Sequence, residues 1–162
     1  EQYVNEKLMV KIVMGPFSRN RQEIHDALQG DKTHHLYELL DYMPDIEKHM
    51  SAADIIFCGG GTTIMEAAFL GKPVVALPQH DMERCFLKYF EKAGFLLPDL
   101  EESIAHLKES TISNLFKSSA LRCELAEQGM KLVDGKGAMR IAQIISSQLL
   151  NKNRRNKEKK QC

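Results

Sequence analysis

An α/β fold, with a parallel sheet flanked by helices, is what this 162-residue sequence predicts. Three observations carry the prediction. Short apolar runs alternate with helix-period segments from Leu8 to Leu97, glycine or proline closes most of these segments, and beyond Asp99 only the helical period continues.

Leu8 to Met14 is an apolar run broken by Lys11 and ending in Gly15-Pro16-Phe17-Ser18, which reads as a strand with a turn at its carboxyl end. Arg21 to Leu28 follows as a short helix closed by Gly30. His35 to Leu40 reads as a second strand, after which Asp45 caps a helix whose Ile46, Met50 and Ala53 share a face. Strands are expected at 54–58 and 73–77, with a helix between them that starts near Thr62 and ends at Gly71 and Pro73. Cys85, Phe86, Tyr89, Phe90 and Ala93 form the apolar face of a further helix that Gly94 ends, and Phe95 to Leu97 reads as a last short strand. The remaining segments, Ile104 to Phe116, Ala120 to Leu132 and Gly137 to Leu150, are expected as helices, the last with Ala138, Ile141, Ala142, Ile145 and Leu149 in register. Residues 1–150 are thus read as one domain and 151–162 as a basic flexible tail.

The chemistry concentrates at Gly59-Gly60-Gly61-Thr62-Thr63. Glycines let the chain turn without a Cβ in the way, and the helix that follows directs unpaired N–H groups and the positive end of its dipole at the turn. A phosphate fits such a place. Glu66, one turn in, can reach back to bond paired ribose hydroxyls. The pattern alone equally allows a capping box between Thr63 and Glu66, with the glycines serving only tight packing. Neither familiar nucleotide fingerprint applies: Ile64 stands where a dinucleotide fold needs its third glycine, and no Gly-Lys-Ser/Thr follows for a P-loop. Ligands in parallel α/β sheets bind beyond the carboxyl ends of the strands, which nominates the loops Gly15 to Asn20, Gly59 to Thr63 and Gln79 to Arg84.

Composition narrows the classes. Lys plus Arg equals Asp plus Glu at 22 each, but residues 152–160 hold six basic groups against Glu158 alone, which leaves the remainder mildly acidic. That basic run has no aromatic interleaving, so no nucleic-acid partner is expected. Cys58, Cys85, Cys123 and Cys162 form no Cys-x-x-Cys pair, so neither a zinc site nor a disulfide framework is indicated, and a reducing cytoplasm is expected. No stretch approaches the length of a transmembrane span and no signal peptide opens the chain. Glu1 in place of methionine suggests an excised fragment. Of the six histidines, His80 alone falls in a ligand loop, where it is a candidate for touching substrate; no Ser-His-Asp arrangement can be argued from spacing.

With these pieces in place, the chain resembles the C-terminal nucleotide-sugar-binding domain of GT-B-type glycosyltransferases. The resemblance rests on Met43-Pro44-Asp45-Ile46, Ser51-Ala52-Ala53-Asp54, Gly60-Gly61-Thr62-Thr63 with Glu66, and Ala68-Phe69-Leu70-Gly71-Lys72-Pro73. Within that group it is most similar to the UDP-sugar hydrolases of pseudaminic acid biosynthesis and the spore-coat polysaccharide proteins, through the Gly15-Pro16 turn and Val133-Asp134-Gly135-Lys136-Gly137-Ala138. The resemblance implies a Rossmann-like domain with added C-terminal helices. It implies UDP or a UDP-sugar as bound substrate, with no separate cofactor and no metal.

Carried over by position, the uracil would meet Tyr42 to Asp45, including Met43, and the diphosphate would meet Gly60, Gly61, Thr62 and Thr63 with help from Gly15, Phe17 and Ser18. Glu66 would take the ribose. One position departs: such proteins usually carry Asn-Gln at the start of the helix after the fourth strand, where this chain has Met82-Glu83. A carboxylate near a diphosphate is repelled unless a cation or a sugar hydroxyl engages it, so Glu83 and His80, with Gln79, Asp81 and Arg84, are the candidates for sugar selectivity. In the resembled hydrolases the water-activating base lies in an N-terminal domain. The expected enzyme is therefore a UDP-sugar hydrolase or a transferase that needs that domain, from the same parent chain or a partner subunit, and this chain alone is expected to be inactive. The alternative is a donor-binding subunit without catalysis of its own.

Overall fold

The computed structural model describes residues 7–31, 33–41, 43–97 and 109–158. It is an α/β arrangement of parallel strand pairs flanked by helices. In chain order the elements are β1 (Met9–Val13), α1 (Arg21–Gly30), β2 (Leu36–Leu40), α2 (Ile46–Ala52), β3 (Ile56–Gly59), α3 (Thr63–Phe69), β4 (Val74–Leu77), α4 (Asp81–Lys92), α5 (Glu109–Lys117), α6 (Ser119–Leu132) and α7 (Gly137–Glu158). The expected sheet forms as two separate parallel ladders among the described residues. β1 pairs β2 with Met9 opposite Leu36 and Val13 opposite Leu40, and β3 pairs β4 with Ile56 opposite Val74 and Gly59 opposite Leu77.

The main core sits around β3, α3 and β4. Ile64, Ala67, Ala68, Val74 and Ala76 are fully enclosed and are joined by Met50 of α2 and by Leu87 and Phe90 of α4. Val75, on the opposite face of β4, packs in a second cluster with Leu115 of α5 and Leu125 of α6. β4 is thus buried on both faces, as a strand covered by helices on each side should be, and its Val-Val-Ala-Leu run is continuously apolar for that reason.

Two helix ends explain how the chain turns back onto this core. Gly71 has φ +64°, and the N–H of Lys72 donates to the Ala67 carbonyl at 2.9 Å. Gly94 has φ +76°, and the N–H of Phe95 donates to the Phe90 carbonyl at 3.0 Å. Both are left-handed C-caps in which glycine avoids the Cβ penalty. The second one corrects an expectation: Phe95 to Leu97 is not a strand. The N–H groups of Phe95 and Leu96 both turn back to Phe90, and the Phe95 ring packs edge-on against that of Phe90 with centroids 6.0 Å apart. An apolar triplet after glycine here closes a helix end and plugs the core. Phe95 also sets the approach of α6, because a Cβ on Gly129 would stand 2.6 Å from its ring and 3.1 Å from the Cα of Ala68.

Two of the C-terminal helices stand apart: one is described only in part and the other runs past its expected end. The segment 98–108 lies outside the described residues, so of the helix expected from Ile104 only α5 is seen. Its last carbonyls, those of Leu115 and Phe116, accept hydrogen bonds from the Arg122 guanidinium at 2.9 and 2.7 Å. The other is α7, which continues as helix to Glu158, beyond the boundary expected at Leu150. Its apolar positions Ile141, Ile145 and Leu149 are exposed, so the shared register reads a face that this structure leaves uncovered. Among the described residues no helix is long and apolar enough to cross a membrane.

Candidate functional site

Parallel pairing puts the carboxyl ends of β3 and β4 side by side, which brings the Gly59–Thr63 turn next to the start of α4. The contact between them is specific. Glu83 Oε2 accepts the N–H of Gln79 at 2.7 Å and the N–H of Gly60 at 3.3 Å. Glu83 is the third residue of α4, and a first-turn carboxylate there both complements the helix dipole and reaches back to an upstream amide. The same carboxylate thereby joins its own loop to a glycine 23 residues earlier in the chain.

This contact reassigns the glycines. The sequence gives Gly59, Gly60 and Gly61 alike the role of turning the chain without a Cβ in the way, whereas in the structure a Cβ at Gly61 would meet nothing within 4 Å. Gly60 is the buried one, and a Cβ there would lie 2.6 Å from the Cβ of Glu83 and 2.9 Å from its Oε2. Gly60 therefore permits close approach of the α4 side chain, while Gly61 leaves its surroundings open for a ligand.

The entrance of α3 carries unused donors. Gly61 and Thr62 supply carbonyls that accept the N–H groups of Ile64, Met65 and Glu66. The N–H groups of Gly61, Thr62 and Thr63 donate to no protein acceptor among the described residues, as expected of a first helical turn. Thr62 is the N-cap and its side chain makes no capping bond, so the capping box between Thr63 and Glu66 does not form. Glu66 is exposed, and its carboxylate has no protein hydrogen-bond partner among the described residues. Three free amides and one free carboxylate thus stand within a single turn of one another.

Electrostatics mark the same place. The Cys58 thiol is pushed up to about 11, chiefly by burial and further by the nearby Glu66 and Glu83 carboxylates. At neutral pH it is a neutral, unreactive thiol at the strand end beneath the turn. Spacing could not have found this, because the two carboxylates that bracket Cys58 come from different helices.

The other sequence candidates lie apart from this turn. Gly15 and Ser18 close a turn at the end of β1, with the Ser18 N–H donating to the Gly15 carbonyl at 3.1 Å; Phe17 within it is 92% exposed. Met43 is half-buried after β2, and its neighbour Tyr42 is outside the described residues. Among the described residues no hydrogen bond or ion pair ties Gly15, Phe17, Ser18 or Met43 to the glycine turn. His80 is the exposed N-cap of α4 and makes no side-chain capping bond, with Asp81 and Arg84 paired beside it at 3.6 Å. The late Asp134 to Ala138 stretch builds a helix entry: the Asp134 carboxylate accepts the Lys136 N–H at 3.0 Å and a forked pair from Arg140 at 2.6 and 3.0 Å. Those bonds hold Asp134 down to about 2. No group of three or more His, Cys, Asp or Glu side chains among the described residues is arranged to hold a metal ion.

Comparison with known proteins points to one family. The model of the glycosyltransferase family 28 C-terminal domain matches residues 1–120. The spore coat polysaccharide biosynthesis protein SpsG of Bacillus subtilis (strain 168) is 28% identical over 145 residues, covering 88% of this chain and 41% of that protein. An uncharacterized protein of Methanocaldococcus jannaschii is 33% identical over 88 residues, 51% of this chain and 17% of its own length. The chain thus spans less than half of either relative. No solved structure matches it.

Proposed function

Because the chain belongs to the glycosyltransferase family 28 C-terminal domain family, we propose that it is the donor-binding domain of an enzyme that hydrolyses or transfers a UDP-activated sugar in surface polysaccharide or sialic-acid-like sugar biosynthesis. The observation that carries this reading is the set of unpaired amides of Gly61, Thr62 and Thr63 beside the unpartnered Glu66 carboxylate. The amides suit a diphosphate, and the carboxylate suits a pair of ribose hydroxyls. Similarity to a spore coat polysaccharide biosynthesis protein supports the pathway class.

The mechanism follows from charge. When the bond to the anomeric carbon breaks, negative charge develops on the departing diphosphate oxygen. Fixed amides stabilise that charge without having to reorganise. The uracil is assigned to Tyr42–Asp45 and the far side of the diphosphate to Gly15, Phe17 and Ser18. The acid or base that activates water or an acceptor hydroxyl is assigned to a further domain or a partner subunit. Hydrolysis is favoured over transfer by the similarity of Asp134 to Ala138 to the hydrolase pattern, although those residues also serve the entry to α7.

Isothermal titration of the chain with UDP, with CMP and NAD as controls at one ionic strength, tests the reading. Selective binding of UDP is expected. Equal binding of all three, or of none, would overturn it.

A further inference from the structure

We infer that Glu83 is a positioning residue of the donor site: its carboxylate clasps the β3–α3 turn to the β4–α4 loop and so holds the amides of Gly61 to Thr63 open to phosphate. The inference rests on the donor-site reading above and goes beyond it, since that reading gives Glu83 no part and the sequence assigns it only to sugar selectivity.

The geometry supplies three arguments. The first is that Glu83 Oε2 is shared between the N–H groups of Gln79 and Gly60, at 2.7 and 3.3 Å. One oxygen thus fixes two loops at the carboxyl edge of two paired strands. The second is that the clasp occupies one donor of the turn. The amide of Gly60 is used internally, and the next three remain for a ligand, so the carboxylate sets where the row of free donors begins. Its own charge also keeps a phosphate from settling over Gly60 and displaces it toward the start of α3. The third is that Gly60 and Glu83 fit only together. Any side chain at position 60 would stand 2.6 Å from the Cβ of Glu83, so the glycine is there for the clasp.

Charge and clasp can be separated by substitution. In Glu83→Gln the side-chain carbonyl still accepts both N–H groups, and only the charge is lost. In Glu83→Ala both are lost. If Glu83 did no more than repel phosphate, both variants would bind UDP more tightly; a clasp predicts that they diverge.

Two measurements on the full chain decide it. Amide hydrogen exchange needs no ligand: Gly60 and Gln79 should be protected in the wild type, exchange at least tenfold faster in Glu83→Ala, and return near wild type in Glu83→Gln. Titration should show UDP binding at least tenfold weaker in Glu83→Ala and retained in Glu83→Gln, with uridine, which lacks phosphates, bound equally by all three. Unchanged exchange at Gly60 and Gln79 in Glu83→Ala overturns the clasp. UDP binding by Glu83→Ala at wild-type strength overturns its role in the site. Failure of the wild-type chain to bind UDP overturns the donor-site reading and the role with it, whereas the exchange result stands on its own for the clasp.

Discussion

At the middle of the β1–β2 ladder, Lys11 faces Glu38 and the two pair at 3.3 Å, half exposed; one strand pair later, Cys58 faces Ala76, which is fully buried. Both units are parallel strand pairs joined through a helix, yet their interiors differ. β1 alternates between exposed and half-buried, β2 is exposed from Leu36 to Glu38 and half-buried at Leu39 and Leu40, α1 buries no residue, and Met9, Val13, Leu36 and Tyr37 stay exposed. β4 and the inner face of α3 are sealed. Rigidity is therefore concentrated under the glycine turn, where preorganised amides need it. The first unit holds its Gly15 to Ser18 turn by ladder bonds and surface pairs, including the ion pair of Arg21 with Asp41.

This contrast can be broken most forcefully in the core. Phe95→Ala should cost about 3 to 5 kcal/mol in denaturant unfolding, because a fully buried ring between α4 and α6 leaves a cavity. Leu36→Ala, on an exposed strand face, should stay within about 0.5 kcal/mol. Comparable losses at the two positions would erase the difference between the units.

Cys58 reports on the same interior. With its pKa raised to about 11, it should react with a thiol reagent roughly a hundredfold more slowly than an unperturbed cysteine, while the exposed Cys85 and Cys123 react readily. The sign for stability follows from a folded pKa above the ordinary 9.0. The contribution is complete below pH 9 and is lost as pH rises through about 11, as the unfolded chain ionises first. A mass-spectrometric alkylation time course in which Cys58 labels as fast as Cys85 would mean that the unit is open.

A smaller effect separates the neighbouring glycines. Gly60→Ala should lose about 1 to 3 kcal/mol from crowding against Glu83. Gly61→Ala, with nothing within 4 Å, should melt close to the wild type while narrowing the approach to the amides. The reverse order of melting temperatures would overturn the assignment of Gly60 to packing and Gly61 to the ligand. The least costly change is Lys11→Ala: an exposed cross-strand ion pair contributes about 0 to 1 kcal/mol, and its effect should fade in high salt.

What could be read in advance tracks how local its cause is. The glycine turn, the start of α3 and the strand β4 follow from residues adjacent in the chain, and so they were legible. Phe95 to Leu97 misled because an apolar triplet after glycine suits a strand and a helix end equally, and only contact with Phe90 decides. Glu83 was legible as a departure from the family pattern, but its function as a tie was not, since its partner Gly60 lies 23 residues away. Asp45 shows that a local cause can also be misread: it stands at the N-cap of α2 as expected, yet its carboxylate pairs with Lys48, three residues on, at 2.8 Å and makes no capping bond.

Amide chemical-shift mapping of the chain during UDP titration tests the proposal that the β3–α3 turn is the phosphate cradle. Saturable shifts largest at Gly61, Thr62 and Thr63, absent when uridine replaces UDP, are expected. Saturable UDP shifts that leave those three amides unmoved would contradict it.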